Sequence, residues 1–494
     1  MIKSISPQDM QEMEHAFLDG TGYPAILLME HAAQAVVDAI HRYAPDGSRV
    51  LFVCGTGNNG GDGCAAARLY LQQGGLATVW MMRSPSQMRG DAGTNAMLLS
   101  ACGAEMHILY NEVPELPECS VIVDALFGTG LARPVEGIAA EVIDVMNAAG
   151  VPVISVDLPS GLDGGSGQIL GNAVHATETV TFHRPKHGHY LYPGRELTGK
   201  LTVTDIGILP DWDGAQGIDI LEPADAAAML PARPRDAHKG NFGHVLTVAG
   251  SEGMAGAAVL CTKAALRSGA GLVTSACTFP NLSILQSLVP CAMASVVSDI
   301  DHIEAASQAQ LSDLAKGKSA LAIGPGLGRN EDTFMAIRPL IEMDIPKVVD
   351  ADALTMMAKH GAKPGKRTVL TPHAGEMARL CDCLIQDILQ SPIEYVQQLA
   401  SDLECCVLLK GATTLIARGE ELAMNITGSE AMATGGSGDV LTGMIAGLLA
   451  AGCSTLEAAR LGAYYHGLAG ESACRKLGSR AVTAMDICEQ IRIE

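Results

Sequence analysis

Residues 434–439, of sequence Thr-Gly-Gly-Ser-Gly-Asp, combine the residue types that transfer of a charged group requires. They precede the apolar run 440–451, which is long enough to form a helix. Successive glycines leave backbone N–H groups free at a helix N-terminus, where amides and the helix dipole stabilise an anion such as phosphate. Asp439 is then placed to accept a proton from an attacking hydroxyl. A glycine-rich helix start also occurs without chemistry, so the motif alone indicates only a kinase-like transfer.

Residues 410–414, of sequence Lys-Gly-Ala-Thr-Thr, follow a predicted strand at 407–409. They supply a cation, hydroxyls and a tight turn where a nucleotide could lie. A Walker A motif is absent: residues 317–319 come nearest, but Ser312 stands in the place of the required upstream glycine. P-loop chemistry is therefore excluded.

A second glycine loop, residues 55–63, follows a predicted strand at 50–53 and opens a predicted helix at 64–73. Its backbone amides could approach a pyrophosphate. The loop satisfies GxGxxG, but the predicted strand 78–82 is followed by Arg83 rather than by an acid. An ordinary Rossmann NAD site is therefore disfavoured.

Three carboxylates lie at the ends of strands in the first half. Asp62 is in the glycine loop, Asp124 follows the predicted strand 121–123, and Asp157 closes the predicted strand 151–156. A single Asp in such a place often caps a turn. In an open parallel sheet, however, these strand ends form one crevice, and three acids together favour a site.

His183, His187 and His189 lie within one short segment. This HxxxHxH spacing on a Pro- and Gly-containing stretch fixes no metal geometry. We expect a solvated or substrate-covering loop instead of a metal site.

Short apolar runs alternate with helix-length segments throughout, which is typical of βαβ units and parallel sheets. Further strands are predicted at 179–182, 201–203, 244–249, 272–275, 320–323, 348–350 and 368–370, and a helix at 255–268. Residues 209–217 are rich in Pro, Asp and Gly and are predicted to be a linker. The fold class is therefore α/β, with two domains at 1–217 and 218–494, each a mainly parallel sheet flanked by helices.

Composition narrows the class of protein further. The 494-residue chain has a net charge of −21, which disfavours nucleic-acid and anionic-membrane partners. Its 14 cysteines show no CxxC pair and no zinc spacing, which suggests buried thiols in a reducing cytoplasm. No signal peptide and no apolar run of about 20 residues is present, so we expect neither secretion nor a membrane span.

Residues 58–63, the Asp124 loop and residues 156–161 resemble the YjeF N-terminal family of NAD(P)H-hydrate epimerases, over residues 1–215. The resemblance implies a Rossmann-like fold and a potassium ion coordinated by Asn59, Asp124 and Ser160, an oxygen-rich donor set that suits a hard, weakly charged cation. Among the strand-end acids, Asp157 is our candidate for the proton transfers of epimerisation. The residues implied in hydrate binding are Asn58, Asn59, Gly60, Gly61, Asp62, Gly128, Thr129, Gly130, Leu131, Ala132, Arg133, Pro134 and Asp157.

Residues 225–494 resemble the ribokinase-like superfamily, and within it the ADP-dependent NAD(P)H-hydrate dehydratases. Besides the two motifs above, the resemblance lies in residues 250–251, 255–258, 324–328 and 371–376. It implies nucleotide contacts by Lys410, Gly411, Ala412, Thr413, Thr414 and Gly438, and hydrate contacts by Ala257, Gly326, His373 and Asp439.

Together the two resemblances imply repair of hydrated nicotinamide cofactors. The R and S forms of NADH hydrate and NADPH hydrate would be interconverted. Asp439 would deprotonate the ring hydroxyl of the S form, which takes a phosphoryl group from ADP while Mg²⁺ shields the charge, and phosphate would then leave with AMP and NAD(P)H as the other products. A cytoplasmic homo-oligomer is expected.

Two alternatives remain at this point. A vitamin or sugar kinase would share the Gly-Asp motif, and a scaffold module would share the first half without catalysis. The fused first half favours repair over the kinase. The acidic balance and the intact carboxylates disfavour the scaffold.

Overall fold

A computed structural model describes residues 1–214 and 216–494 as two compact units. The first is Lys3–Ile218, and the second is Asp219–Glu494 together with Met1–Ile2. The predicted linker 209–217 includes residue 215, which lies outside the described residues. Its described part holds a short 3₁₀ turn at Pro210–Trp212. The predicted fold class, two α/β domains with mainly parallel sheets, is confirmed.

The first unit is a parallel sheet flanked by helices. The first eight strands along the chain are β1 (Ile2–Ser4), β2 (Arg49–Cys54), β3 (Leu76–Met81), β4 (Glu105–Ile108), β5 (Val121–Ala125), β6 (Val153–Val156), β7 (Glu178–Phe182) and β8 (Lys200–Thr204). Strands β2 to β8 form the sheet of this unit in the order β4-β3-β2-β5-β6-β7-β8, and every pairing is parallel. Its helices are α1 (Pro7–Thr21), α2 (Ala25–Tyr43), α3 (Asn58–Gln72), α4 (Gly90–Ala101), α5 (Ile138–Ala148) and α6 (Gly194–Thr198).

The chain order reverses between β2 and β5, so the carboxyl ends of these strands flank the place where ligands bind in such sheets. Helix α3 begins at Asn58, six residues earlier than predicted, because the glycines allow the helix to lie against the strands. A Cβ at Gly60 would lie 2.2 Å from the carbonyl oxygen of Gly55, and one at Gly63 would lie 2.4 Å from the Ala125 Cβ. Close packing therefore accounts for part of the glycine motif.

The second unit is a larger mixed sheet. Its strands are β9 (Ile218–Ile220), β10 (His244–Val248), β11 (Leu272–Thr278), β12 (Met293–Ser298), β13 (Ala320–Ile323), β14 (Lys347–Val349), β15 (Thr368–Leu370), β16 (Cys406–Leu409), β17 (Thr414–Arg418) and β18 (Glu421–Asn425). Its helices are α7 (Pro223–Met229), α8 (Ala255–Arg267), α9 (Phe279–Leu288), α10 (Gln308–Ala315), α11 (Glu331–Glu342), α12 (Asp352–His360), α13 (Ala374–Cys381), α14 (Ile385–Gln390), α15 (Pro392–Asp402), α16 (Ser437–Ala450), α17 (Thr455–Leu477) and α18 (Ala484–Glu489).

From β9 onward the strand order is β9-β18-β17-β16-β15-β14-β13-β10-β11-β12. Strands β10 to β16 pair in parallel, whereas β16, β17 and β18 form an antiparallel meander. Strands β17 and β18 were not among the strands predicted from the sequence. Their signal was available, because two short runs with apolar residues, Thr414–Arg418 and Glu421–Asn425, flank Gly419 and Glu420, which is typical of a hairpin.

Helix α16 occupies the centre of the second core. Residues 440–450 are all buried, as expected of a helix that is apolar on every side. A Cβ at Gly443 would lie 2.1 Å from the carbonyl oxygen of Cys261, so α8 and α16 pack backbone to backbone. The residues at the start of α16 are therefore carried on a rigid support. Within the described ranges, no helix is both long and apolar enough to cross a membrane.

Candidate functional site

Asp124 is fully buried at the end of β5, and both of its oxygens accept hydrogen bonds. Oδ1 accepts from the Ser160 hydroxyl at 2.5 Å and from the Leu126 N–H at 3.3 Å. Oδ2 accepts from the Ser155 hydroxyl and the Ser160 N–H, each at 2.8 Å. Asp124 thus joins β5, β6 and the loop after β6.

Oxygen atoms converge beside this carboxylate. The Ser160 hydroxyl lies 3.2 Å from the Phe127 carbonyl oxygen, and a Cβ at Gly128 would lie 3.1 Å from Asn59 Oδ1. The buried Asn59 Nδ2 has no hydrogen-bond partner among the described residues. A buried amide N–H group without a partner points to a hydrogen-bond acceptor that completes the site, whereas only the side-chain oxygen of Asn59 could bind a cation. The donor set of Asn59, Asp124 and Ser160 fits a monovalent cation such as potassium.

Asp157 follows β6 in a left-handed conformation, with φ of 62°, which is uncommon for a residue other than glycine. Its Oδ1 accepts from the Lys186 ammonium at 2.6 Å and from the Thr181 hydroxyl at 2.9 Å. The His189 Nε2 donates to its carbonyl oxygen at 2.8 Å. Burial alone would raise the pKa of Asp157, but the charge and hydrogen bond of Lys186 bring the pKa below its ordinary value. The structure therefore holds Asp157 as a carboxylate.

Two other acids near Asp157, Asp62 and Glu14, have pKa values that are raised rather than lowered. Burial, followed by the charge of Asp157, raises the pKa of Asp62 well above its ordinary value. The same two causes raise the pKa of Glu14 on α1. A carboxylate held ionised beside carboxyl groups that favour the protonated form is the arrangement expected of a base and its acid partners.

The histidine segment is buried, so the expectation of a solvated loop is wrong, whereas the alternative of a substrate-covering loop stays a prediction. Burial lowers the pKa of both His187 and His189 to about 4, and both rings are therefore neutral. The His187 Nδ1 lies 3.0 Å from the Ser4 hydroxyl, and the His189 Nδ1 accepts from the Lys186 N–H at 3.0 Å. These rings hold the backbone around Lys186 in place. The described residues contain no group of three His, Cys, Asp or Glu side chains placed to bind a metal.

The remaining residues predicted for the first site lie at the carboxyl ends of β2, β5 and β6. Residues 58–62 form the first turn of α3, where Gly60 and Gly61 are buried and offer only backbone groups. Residues 128–134 form a largely exposed loop between β5 and α5. The sequence did not predict that Lys186, Thr181, His189 and Glu14 lie near Asp157, because they come from distant segments and no spacing links them to it.

The second site is built around Asp439 in the first turn of α16. Burial raises the pKa of its carboxyl to about 7, and the charge of Asp350 contributes in the same direction while Lys410 opposes it. A carboxylate with a pKa near neutrality is a stronger base than an ordinary Asp and still ionises at working pH.

Asp350 was missed by the sequence analysis. It follows β14 and is 1% exposed. Its Oδ1 accepts from the Lys410 ammonium at 2.7 Å, and its Oδ2 accepts from the Thr442 hydroxyl at 2.7 Å. The signal was an acid at a strand end, the same feature that singled out Asp124 and Asp157.

Lys410, which follows β16, lies at the centre of the second site. A Cβ at Gly438 would lie 3.3 Å from its Nζ, so the glycine leaves room for the ammonium. The Nζ is also 4.0 Å from Glu376 Oε2. Burial alone would lower the pKa of Lys410, but Asp350 and Glu376 raise it above its ordinary value, so the side chain remains charged. The ammonium is directed into the site rather than to solvent.

The other residues predicted for this site surround the same strand ends. His373 caps α13, with its Nδ1 accepting from the Gly375 N–H at 3.0 Å. A Cβ at Gly326 would lie 2.9 Å from the Ala257 Cβ, so these two residues are in contact where the strand order reverses between β10 and β13. Residues 411–413 form the turn between β16 and β17, and Thr414 is the first residue of β17.

The fold and the second site are those of an enzyme of ribokinase-like architecture, joined to a Rossmann-like unit with its own carboxylate site. The family described as NAD(P)H-hydrate dehydratase matches residues 245–492, and the one described as YjeF-related protein N-terminus matches residues 25–188. The chain belongs to the family of bifunctional NAD(P)H-hydrate repair enzymes. Both resemblances stated from the sequence are thereby confirmed, and the sugar-kinase and scaffold alternatives give way.

Relatives support this assignment over nearly the whole chain. The bifunctional NAD(P)H-hydrate repair enzyme of Moorella thermoacetica is 39% identical, covering 98% of this chain and 95% of the relative. The enzyme of that name from Escherichia coli is 32% identical, covering 97% and 91%. The ADP/ATP-dependent NAD(P)H-hydrate dehydratase from Bacillus subtilis, solved with ATP and Mg²⁺, is 30% identical with a TM-score of 0.50, covering 56% of this chain and 97% of that one.

Proposed function

We propose that residues 1–217 interconvert the R and S forms of NADH hydrate and NADPH hydrate, and that residues 218–494 convert the S form to NAD(P)H with ADP as phosphoryl donor. The observation that carries the second activity is Asp439, a carboxyl with a pKa of about 7 at the start of a rigid helix beside the Lys410 ammonium. The name of the Bacillus subtilis relative supports a nucleoside diphosphate or triphosphate as co-substrate.

In the dehydratase site, Asp439 takes the proton of the ring hydroxyl as the hydroxyl oxygen attacks the terminal phosphorus of ADP. The N–H groups at the start of α16 stabilise the transferred phosphoryl group, and Lys410 compensates negative charge beside it. AMP leaves from the phosphorus that is attacked. The lone pair of the ring nitrogen then expels phosphate from the ring carbon, the adjacent carbon loses a proton to the departing phosphate, and the electrons of that C–H bond form the double bond of the dihydronicotinamide. Phosphorylation converts hydroxide, a poor leaving group, into a good one.

The magnesium ion would be held chiefly by the phosphate oxygens, because the described residues offer no cluster of three side chains for a metal. When bound it would reduce the charge repelling the attacking oxygen. In the first unit, potassium would be held by Asn59, Asp124 and Ser160, and would fix the loop 128–134 against the substrate.

In the epimerase site, the Asp157 carboxylate accepts the hydroxyl proton while the ring carbon–nitrogen bond opens to an aldehyde. Asp62, which favours its protonated form, donates a proton to the released ring nitrogen. Rotation of the aldehyde and the reverse proton transfers close the ring with the opposite configuration. Both carboxyl groups return to their starting states, so the cycle is balanced.

The test uses separated epimers and two isosteric variants of the full chain. Asp439→Asn should abolish conversion of the S hydrate to NAD(P)H while R-to-S interconversion continues. Asp157→Asn should stop conversion of the R hydrate while the S hydrate is still dehydrated. Asp313→Asn, an exposed acid on α10 paired with Lys316, is the control for loss of one charge. An active Asp439→Asn enzyme would contradict the assignment of the base.

The choice of cofactor and nucleotide, the oligomeric state and the cellular compartment are proposed from the family resemblance. NADH and NADPH hydrates, ADP and ATP should be compared in the same assay. A homo-oligomer is proposed, to be checked by light scattering. A reducing cytoplasm is supported by the 14 cysteines, all of which are free thiols.

A further inference from the structure

The end of β14 carries a buried carboxylate whose two oxygens each bind a different element of the dehydratase site. Asp350 accepts from Thr442, one turn along α16 from Asp439, and from Lys410 at the end of β16. The two distances are both 2.7 Å, and the carboxylate is 1% exposed. A buried charge is retained in a fold only where partners compensate it, and this one has a lysine and a hydroxyl.

Gly438 lies between these partners. A Cβ there would be 3.3 Å from the Lys410 Nζ and 3.6 Å from Asp350 Oδ2. The turn that contains Asp439 therefore sits directly on the Asp350–Lys410 pair, without a side chain between them. Any displacement of that pair would be transmitted to the backbone amides at the start of α16.

We propose that Asp350 is a positioning residue of the dehydratase site: it holds the start of α16 against Lys410, and its negative charge strengthens Asp439 as the base. The inference rests on the proposed role of Asp439. Lys410 thereby has a second task besides the proposed contact with the nucleotide, because its ammonium is the ion-pair partner of the buried Asp350 side chain.

The charges that face Asp439 come from several elements. Asp350 and Asp352 raise the pKa of its carboxyl, and Lys410 lowers it. Asp352 on α12 is itself paired with Arg329 at 2.9 Å. Among the neutral neighbours, the thiol of Cys261 on α8 has a pKa well above its ordinary value because it is buried, and so does not charge.

Two more groups lie around the same pair. Glu376 on α13 is 4.0 Å from the Lys410 ammonium. Burial lowers the pKa of His466 on α17 to about 4, so that ring is neutral. Of the charges named here, Asp350 has the largest influence on Asp439 after burial itself.

The experiment is the pH dependence of kcat/KM for the S hydrate at saturating ADP. In the wild type, activity should fall below the pH at which Asp439 takes up a proton. Asp350→Asn keeps the shape and can still hydrogen-bond to Thr442, but removes the charge. The falling limb should move to lower pH by about one unit or more. At pH about 6 the variant should then retain about fivefold more of its own plateau rate than the wild type does.

The plateau rate itself should fall, because a carboxylate of lower pKa is a weaker base. Asp313→Asn is the matched control: it removes one exposed acid on α10, and its profile should coincide with the wild type. A lower plateau with an unmoved midpoint would overturn the inference, since a merely structural role lowers the rate without shifting the profile.

A second variant keeps the test decisive if Asp350→Asn does not fold. Replacing both members, Asp350→Asn with Lys410→Met, removes the ion pair as a whole, so that neither of its two charges is left without the other. Because Asp350 influences Asp439 more strongly than Lys410 does, the midpoint should still move to lower pH, by less than in the single variant. A midpoint at or above the wild-type value would refute the proposal. Activity remaining in Asp439→Asn would instead refute the proposed function.

Discussion

Replacement of Lys186 by Met should show how much the epimerase site depends on the charge of this side chain rather than on its volume. The Lys186 side chain is 1% exposed, and its Nζ donates to Asp157 at 2.6 Å and to Thr181 at 3.0 Å. Met fills a similar volume without the charge. Loss of one partner from a buried ion pair costs about 3–5 kcal/mol as long as the other remains charged. Asp157 can avoid most of that cost by taking up a proton.

Protonation of Asp157 in Lys186→Met should have two measurable effects, one on stability and one on the epimerase rate. Asp157 in the wild type has a depressed pKa, so its pair stabilises the fold above the unfolded pKa and is lost only as pH falls through the folded one. In Lys186→Met the pKa of Asp157 should be raised instead, so stability should decrease as pH rises. The epimerase rate at neutral pH should drop by about 100-fold or more, because the base is protonated.

The assay starts from pure R hydrate and follows its conversion to the S form by chromatography, with the thermal transition measured at several pH values. Dehydration of the S form by the same protein is the internal control and should stay within about twofold of the wild type. Lys200→Met is the matched substitution, since Lys200 is more than half exposed and 3.5 Å from Glu178. An epimerase rate within about threefold of the wild type would refute the reasoning.

Three further predictions concern single substitutions. Asp439→Asn should raise the free energy of unfolding of the second unit by roughly 2 kcal/mol at pH 8, in denaturant titrations, because a carboxyl with a folded pKa of about 7 opposes folding once ionised. Gly438→Ala, whose Cβ would lie 3.3 Å from the Lys410 Nζ, should raise KM for ADP about tenfold in initial-rate assays without a comparable change in KM for the hydrate. Gly63→Ala should lower the free energy of unfolding of the first unit by about 1–3 kcal/mol, because its Cβ would overlap β5, whereas Gly57→Ala has open space and should be nearly neutral in the same titration.

The sequence predicted the fold well where local signals were strong. Buried strands read as continuous apolar runs, and Ala320–Ile323 and Thr368–Leu370 were placed with their observed bounds. The start of α3 was placed six residues late because glycines are poor helix formers in isolation, and their value here lies in packing against β2 and β5. Tertiary contact overrode local propensity at that point.

The candidate sites were predictable only in part, for a similar reason. Strand-end acids and glycine turns are local patterns, and they led to Asp124, Asp157 and Asp439. Lys186 and Asp350 act through partners 29 and 60 residues away along the chain. Such pairings depend on strand order and burial, which no local spacing records. The buried histidines show the same limit of prediction from local sequence. Their polarity suggested exposure to solvent, but residues from other segments bury them.

Both units contain a lysine-paired carboxylate whose charge raises the pKa of a neighbouring carboxyl group. Proton transfer needs one carboxyl that is ionised and a neighbour whose affinity for a proton is raised, yet two bare carboxylates cannot share a dry site. In the first unit the Lys186 ammonium holds Asp157 at 2.6 Å, and the charge of Asp157 raises the pKa of Asp62. In the second the Lys410 ammonium holds Asp350 at 2.7 Å, and the charge of Asp350 raises the pKa of Asp439. The roles differ in one respect: the lysine-paired carboxylate is the proposed base of the epimerase, whereas in the dehydratase it is the neighbour of the base. Removal of the lysine-paired charge should therefore stop the first reaction, whereas in the second it should lower the plateau rate and shift the pH dependence.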